Sequence, residues 1–298
     1  MISSCSAVKK ERRRAMGKSP SPQKGILSMF MLDDRIAIVT GSGSGIGEGI
    51  ALGFAEAGAH IVLAELDEKK AEATAQKIRA LGRKAIPLAV NVLEGAQVQQ
   101  MVERTLAEFG KIDILVNNVG GTRATGGSLV TDMKDETWDN IFEINMKSTF
   151  LCSKHVSRVM VRQKGGTIIN IASAAGLRPH PVQLPYGAVK AGIVNFTQSL
   201  AVQLAQYNIR VNAIAPGKVV TPGTTYLSSM GDSHARARKE GTPLGRAGST
   251  EDVALAAIYL ASDASGYVTG VTIPVMGGPY MGAMMMNYAE ERWKIKKP

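Results

Sequence analysis

From Asp33 onward, short aliphatic runs alternate with segments whose apolar residues recur every three or four positions. The runs predict strands over 36–39, 61–64, 85–92, 112–116, 167–171, 209–214 and 271–275. They are continuous rather than alternating, as expected of strands buried on both faces. Between them the spacing predicts helices. Ile46, Ile50, Phe54 and Ala57 share one face of a helix over 45–58. Further helices are expected over 67–81, 96–109, 137–161 and 188–205. Repeated strand–helix units of this kind predict one α/β domain, a doubly wound parallel sheet of about seven strands with helices on both faces. Ligands bind such sheets beyond the carboxyl ends of the strands, where the strand order reverses.

Two segments depart from this rhythm. Residues 221–245 are rich in Gly, Pro, Ser and Thr, with a basic cluster at His234, Arg236, Arg238 and Lys239. They read as a loop or short helix pair over the site. The segment after Gly278 carries Met281, Met284, Met285 and Met286 and reads as a tail against a neighbouring subunit. The expected division is a basic, disordered extension over 1–30, a catalytic domain over 31–280 and a tail over 281–298.

Composition changes little. The chain has 298 residues, 45% of them apolar and 20% charged, which suits a globular core. Its two cysteines, Cys5 and Cys152, imply no disulfide framework and fit a reducing, cytoplasmic setting. The net charge of +10 is uneven. Residues 1–30 hold seven basic residues and one acid, so the remainder is near +4. The basic arm reads as a tail rather than a nucleic-acid site. An organelle-targeting leader and a start at Met29 or Met31 are the competing readings. No apolar run reaches the ~18–20 residues of a membrane helix. No His, Cys or carboxylate cluster has metal-ligand spacing, so no metal is expected.

Candidate chemistry begins at Thr40-Gly41-Ser42-Gly43-Ser44-Gly45-Ile46-Gly47, between the first strand and first helix. Glycines there permit a tight turn and let backbone approach a pyrophosphate, which the helix N-terminus would favour. The spacing is TGxxxGxG, not GxGxxG, and in this it resembles the short-chain dehydrogenase/reductase family. The resemblance implies a Rossmann-type fold and a nicotinamide dinucleotide held by Gly41, Ser42, Ser44, Gly45 and Ile46. Glu65, at the end of the second strand, can accept from the adenosine ribose hydroxyls and repel the extra phosphate of NADP. NAD is therefore expected over NADP, with Asp67 as the alternative acid. Asn91-Val92 stands where the family usually has Asp-Val beside adenine. Asn117-Asn118-Val119-Gly120 resembles its NNAG. Pro216, Gly217, Val219 and Thr221 match the segment that lies against nicotinamide.

Tyr186 and Lys190 share a helical face at i and i+4. A free phenol titrates near ~10, and a neighbouring ammonium would favour the phenolate, so Lys190 is expected to lower that value. Ser173, 13 residues before Tyr186, and Asn145 complete the family's group of four. By resemblance, Ser173 holds the reacting oxygen and Asn145 a relay water. Substrate contacts are expected from His180, Gln183 and Arg123. The implied activity is NAD-dependent interconversion of a secondary alcohol and a ketone by a homodimer or homotetramer. The runner-up is an NADPH-dependent reductase of carrier-bound 3-oxoacyl groups. An enoyl reductase fits less well, because those usually separate Tyr and Lys further.

Overall fold

A computed structural model describes residues 25–122, 129–222 and 242–278. Seven parallel strands form one sheet: β1 (Ile36–Thr40), β2 (His60–Glu65), β3 (Ala85–Ala89), β4 (Ile114–Asn117), β5 (Gly166–Ile171), β6 (Ile209–Pro216) and β7 (Thr272–Val275). Their order is β3-β2-β1-β4-β5-β6-β7, so the strand order, not the strand direction, reverses between β1 and β4. The helices are α1 (Gly45–Glu56), α2 (Glu68–Ala80), α3 (Gly95–Phe109), α4 (Asp135–Phe142), α5 (Ser148–Gln163), α6 (Leu184–Leu204) and α7 (Thr250–Ala261).

Side-chain alternation builds two cores from each central strand. Ala37 and Val39 of β1 pair in register with Ile114 and Val116 of β4. These residues pack with Ile50 and Phe54 of α1 and with Val253 and Leu260 of α7. Ile38 and its partner Leu115 face the other way, against Val98 and Met101 of α3 and Val156 and Met160 of α5. All five residues of β1 are buried, which explains the run without alternation.

The fold departs from the sequence pattern in four places. A single helix over 137–161 was expected, yet α4 and α5 are separated by a π-helical turn, Glu143–Lys147. Asn145, fully buried within it, donates from Nδ2 to the Ile141 carbonyl at 2.8 Å. The side chain takes the acceptor that the backbone N–H of an α-helix would use. α6 begins at Leu184, earlier than expected, with proline in its first turn. Ile26–Phe30, placed by sequence in the disordered extension, forms a 3-10 turn whose Phe30 ring lies 6.2 Å from that of Tyr259. α7 was not expected at all. It starts with a capping box, Ser249 and Asp252 each bonding the other's backbone N–H.

The basic cluster near Arg236 and the methionine tail lie outside the described residues, as does the arm before Gly25. Replacing Ser249 by Ala removes one half of the α7 box. Denaturant unfolding should register a loss of about 1 kcal/mol.

Candidate active site

A cleft of about 520 Å³ runs along the carboxyl ends of the strands, across the β1/β4 reversal. Its first wall is the glycine turn. Gly41 and Gly45 take φ of +62° and +60°, and a Cβ on Gly47 would collide with the Gly41 carbonyl. Ser44 stands at the N-cap of α1 without bonding the helix through its side chain. The first N–H groups of α1 therefore have no side-chain cap at the cleft, where an anion is favoured.

Of the candidate cofactor residues, Gly41, Ser44, Gly45, Ile46, Glu65, Asn91, Val92, Asn118, Pro216, Gly217 and Thr221 all line the cleft. The carboxylate of Glu65 reaches back to the glycine turn, accepting from the Gly43 N–H at 3.0 Å through Oε2 and from the Leu66 N–H at 2.9 Å through Oε1. Asp67, the alternative acid, is engaged in capping α2, where it accepts from the N–H groups of Lys69 and Lys70. Asn91 Oδ1 accepts from the Leu93 N–H at 3.1 Å. Asn118 donates from Nδ2 to the carbonyls of Thr40 and Gly41, at 3.0 and 3.1 Å. It thus braces the turn from the next strand.

Two of the expected residues do not line the cleft. Ser42 is fully buried beneath the turn instead of facing the cleft, because its place on the tight turn directs it inward. Val219 packs into the core with Val253 and joins Gly248 in a short bridge, so it supports the wall without lining it.

The group of four gathers at the other end. Ser173 follows β5 and hydrogen-bonds the Tyr186 phenol. Lys190 is buried one turn further along α6, its Nζ donating to the Ile171 carbonyl at 2.9 Å and lying 5.6 Å from the Tyr186 ring centroid. Asn145 lies behind this front, outside the cleft lining. Its Oδ1 accepts from the Gly121 N–H at 3.0 Å and its Nδ2 donates to the Gly121 carbonyl at 2.9 Å. A Cβ on Gly120 would collide with Asn145 Oδ1 and stand 3.2 Å from Lys190 Nζ. Glycine at 120 therefore lets the two approach one another.

The electrostatics reverse one expectation. Burial raises the Tyr186 pKa, and the Ser173 hydrogen bond offsets this only in part. Burial also pushes the Lys190 ammonium down, to about 7. Withdrawal from water penalises both charged forms.

The expected substrate residues fare differently. His180 and Gln183 do not line the cleft; Gln183 ends a 3-10 turn, Pro181–Gln183, and His180 precedes it. Arg123 lies outside the described residues. Sequence reasoning missed Lys70, whose Cβ is 2.7 Å from where a Gly43 Cβ would stand. It also missed Arg178, which walls a notch beside Ser173. Helical spacing from Asp67 was a signal for Lys70, but none pointed to Arg178. It also did not foresee that Asn117, one residue before the bracing asparagine, belongs to a buried amide ladder. Its Nδ2 donates to Asn170 Oδ1 at 2.8 Å, and Asn170 passes the chain to Thr197 of α6.

Comparison with known proteins bears on this geometry. Residues 40–279 match the model of a family described as Enoyl-(Acyl carrier protein) reductase. The chain is 38% identical over 247 residues to a 3-oxoacyl-[acyl-carrier-protein] reductase of Thermotoga maritima, covering 83% of this chain and 98% of that one. The chain belongs to the short-chain dehydrogenase/reductase family. It is also 40% identical over 247 residues to (2S)-[(R)-hydroxy(phenyl)methyl]succinyl-CoA dehydrogenase subunit BbsD of Thauera aromatica, covering 83% and 97%. A structure of 7α-hydroxysteroid dehydrogenase with NADH and 7-oxo glycochenodeoxycholic acid superposes with a TM-score of 0.80 at 31% identity, covering 86% and 98%.

As a short-chain dehydrogenase/reductase the protein is an oxidoreductase acting on CH–OH or keto groups, and the family binds NAD(P). The glycine turn, the uncapped start of α1 and the acid at β2 fit such a dinucleotide. Among the described residues no helix is long and apolar enough to cross a membrane, and no His/Cys/Asp/Glu group could hold a metal.

The Lys190 shift has a stability consequence. Between about pH 7 and 10 the unfolded chain holds a proton on this lysine that the native chain has lost. The cofactor-free protein should therefore gain stability relative to Lys190→Met as pH rises through that window, by at most about 1.4 kcal/mol per pH unit. Unfolding at pH 6, 8 and 10 measures this, and a difference that stays constant contradicts the shift.

Proposed function

We propose that this enzyme interconverts a secondary alcohol and a ketone using NAD, with Tyr186, Ser173, Lys190 and Asn145 in the roles their positions suggest. The observation that carries the cofactor choice is the Glu65 carboxylate at the adenosine end of the cleft. It suits two ribose hydroxyls and opposes a phosphate on one of them. When bound, the dinucleotide supplies or accepts the hydride. The chain supplies the proton and the geometry.

In this reading the Ser173 hydroxyl holds the reacting oxygen and Tyr186 exchanges its proton. Tyr186 lies within hydrogen-bond reach of Ser173, so one oxygen can meet both. Lys190, anchored on the Ile171 carbonyl, presents its ammonium to the same pocket. Asn145 holds the Gly121 backbone and brings its amide up to Lys190 across Gly120, a route by which a proton can leave. Because burial raises the Tyr186 pKa, the phenol holds its proton at neutral pH. That state suits ketone reduction, and alcohol oxidation should speed up as pH rises.

A second reading is favoured by the curated relatives named 3-oxoacyl-[acyl-carrier-protein] reductase and by Lys70 beside the glycine turn. Such an enzyme would use NADPH, and Lys70 could meet its extra phosphate. Further parts of the main reading are a homodimer or homotetramer and a cytoplasmic location. Phe150 of α5 and Val202 of α6 are 45% and 81% exposed, apolar surface of the kind that subunit contacts cover.

Two measurements test this. NADH should exceed NADPH at least tenfold in kcat/KM with a shared ketone, whereas a tenfold NADPH preference selects the carrier-protein reading. Tyr186→Phe should lose about 10²–10⁴-fold in kcat. Its NADH affinity, followed by fluorescence, should stay within threefold of the parent. Near-normal turnover in that variant removes the mechanism.

A further inference from the structure

The roles above give no part to the buried amide ladder behind the cleft. Asn117 of β4 and Asn170 of β5 are register partners, and Asn117 Nδ2 donates to Asn170 Oδ1 at 2.8 Å. The same Nδ2 donates to Ser153 Oγ of α5 at 2.9 Å. Asn170 Nδ2 donates in turn to Thr197 Oγ1 of α6 at 2.9 Å, and that hydroxyl donates to the Ile193 carbonyl at 2.8 Å. Asn170 and Thr197 are both fully buried. Ile168, two residues before Asn170, and Ala201, one turn after Thr197, belong to the aliphatic core on this face. Polar groups there are costly unless each is bonded, so the ladder specifies a position more than it adds apolar stability.

The position concerned is that of α6. Tyr186, Lys190 and Thr197 fall on one face of this helix, at i, i+4 and i+11. Lys190 Nζ is tied to the Ile171 carbonyl, and Thr197 to Asn170, the preceding residue of β5. The two ties lie about 10 Å apart along the helix. A helix held at one point can tilt about it. Tyr186 and Thr197 lie on opposite sides of the Lys190 anchor, so a shift at 197 tips 186 the other way. The lysine stem is long, whereas Asn170 and Thr197 are short side chains locked by their further bonds to Asn117 and Ile193. The second tie is therefore the stiffer of the two.

We infer that the Asn170–Thr197 bond is a positioning device for the reaction: it stops α6 tilting about its Lys190 anchor and so holds the Tyr186 hydroxyl opposite Ser173. Neither residue lines the cleft, so both act through Tyr186. The inference rests on the alcohol–ketone reading above, with Tyr186 as the group that exchanges the proton. A misplaced phenol lowers the rate of the chemical step and leaves binding alone.

Thr197→Val keeps the shape of the side chain and removes the hydroxyl, and Thr197→Ser keeps the hydroxyl. The ketones are ethyl acetoacetate, cyclohexanone and acetoacetyl-coenzyme A, with whichever of NADH and NADPH the parent prefers. Thr197→Val should lose tenfold or more in kcat, with KM for ketone and dinucleotide within threefold of the parent. Thr197→Ser should stay within threefold in kcat. Should the valine variant unfold because the Asn170 amide is left unpaired, Asn170→Leu/Thr197→Val, which removes both partners, is read in its place. A kcat loss below tenfold, a KM change above threefold or an equal loss in Thr197→Ser overturns the inference. A second readout needs no turnover. Fluorine NMR of protein grown on 3-fluorotyrosine follows each tyrosine, with Tyr186→Phe identifying the signal of Tyr186. In the variant lacking the hydroxyl that signal should move by more than its width, while those of Tyr259 and Tyr267 hold. In Thr197→Ser all three should hold. If the parent reduces none of the ketones but the Tyr186 signal moves in this way, the tie stands and the redox reading fails. A Tyr186 signal that holds, or three signals that move together, overturns the tie whatever the turnover.

Discussion

At the centre of this fold a lysine is buried on a single carbonyl. Lys190 Nζ donates to the Ile171 carbonyl, and among the described groups no carboxylate acts on it. Removing an ammonium from water without a counter-charge is costly, and the lysine responds by releasing its proton near pH 7. The bond also fixes α6 against the end of β5. That single registration sets Tyr186, one turn earlier on α6, opposite Ser173, two residues beyond Ile171. It also brings Lys190 within reach of Asn145 across a position where only glycine fits. The arrangement of the four side chains follows from one helix being pinned to one strand.

The parts of the fold legible in the sequence were those dictated by local chemistry. β1, β4 and β5 lie inside the sheet with helices on both faces, so their residues had to be continuously apolar. The glycine turn was legible because its spacing depends on one chain segment. α7 was not, although Ser249 and Asp252 advertise its start. Its buried face uses small residues, Ala254, Ala257 and Ala261, while Leu255 is 67% exposed, so the hydrophobic period is blurred. The break between α4 and α5 was illegible for a different reason. Asn145 leaves the helical ladder to bond Gly121, 24 residues away in sequence, and that partner is set by the tertiary fold.

The same division runs through the site. Each candidate cofactor residue at a strand end was readable from its own motif, and most were brought to one cleft. The exceptions are Ser42, buried under the glycine turn next to Gly41, and Val219, buried between Gly217 and Thr221. Substrate contacts were not readable. Between Ser173 and Tyr186 the chain passes through two 3-10 turns, and their side chains follow no repeating direction. His180 attracted attention by its chemistry but lies off the cleft. The sign of the Tyr186 shift was hidden too. Sequence shows that a lysine is near but not that both groups are withdrawn from water, and withdrawal is the larger effect.

A lysine in a dry site can lose its charge near neutral pH, so Lys190 can join a proton exchange and need not remain a fixed charge. A group that must change protonation belongs where burial brings its pKa to the working pH, and the anchor on the Ile171 carbonyl holds Lys190 in such a place.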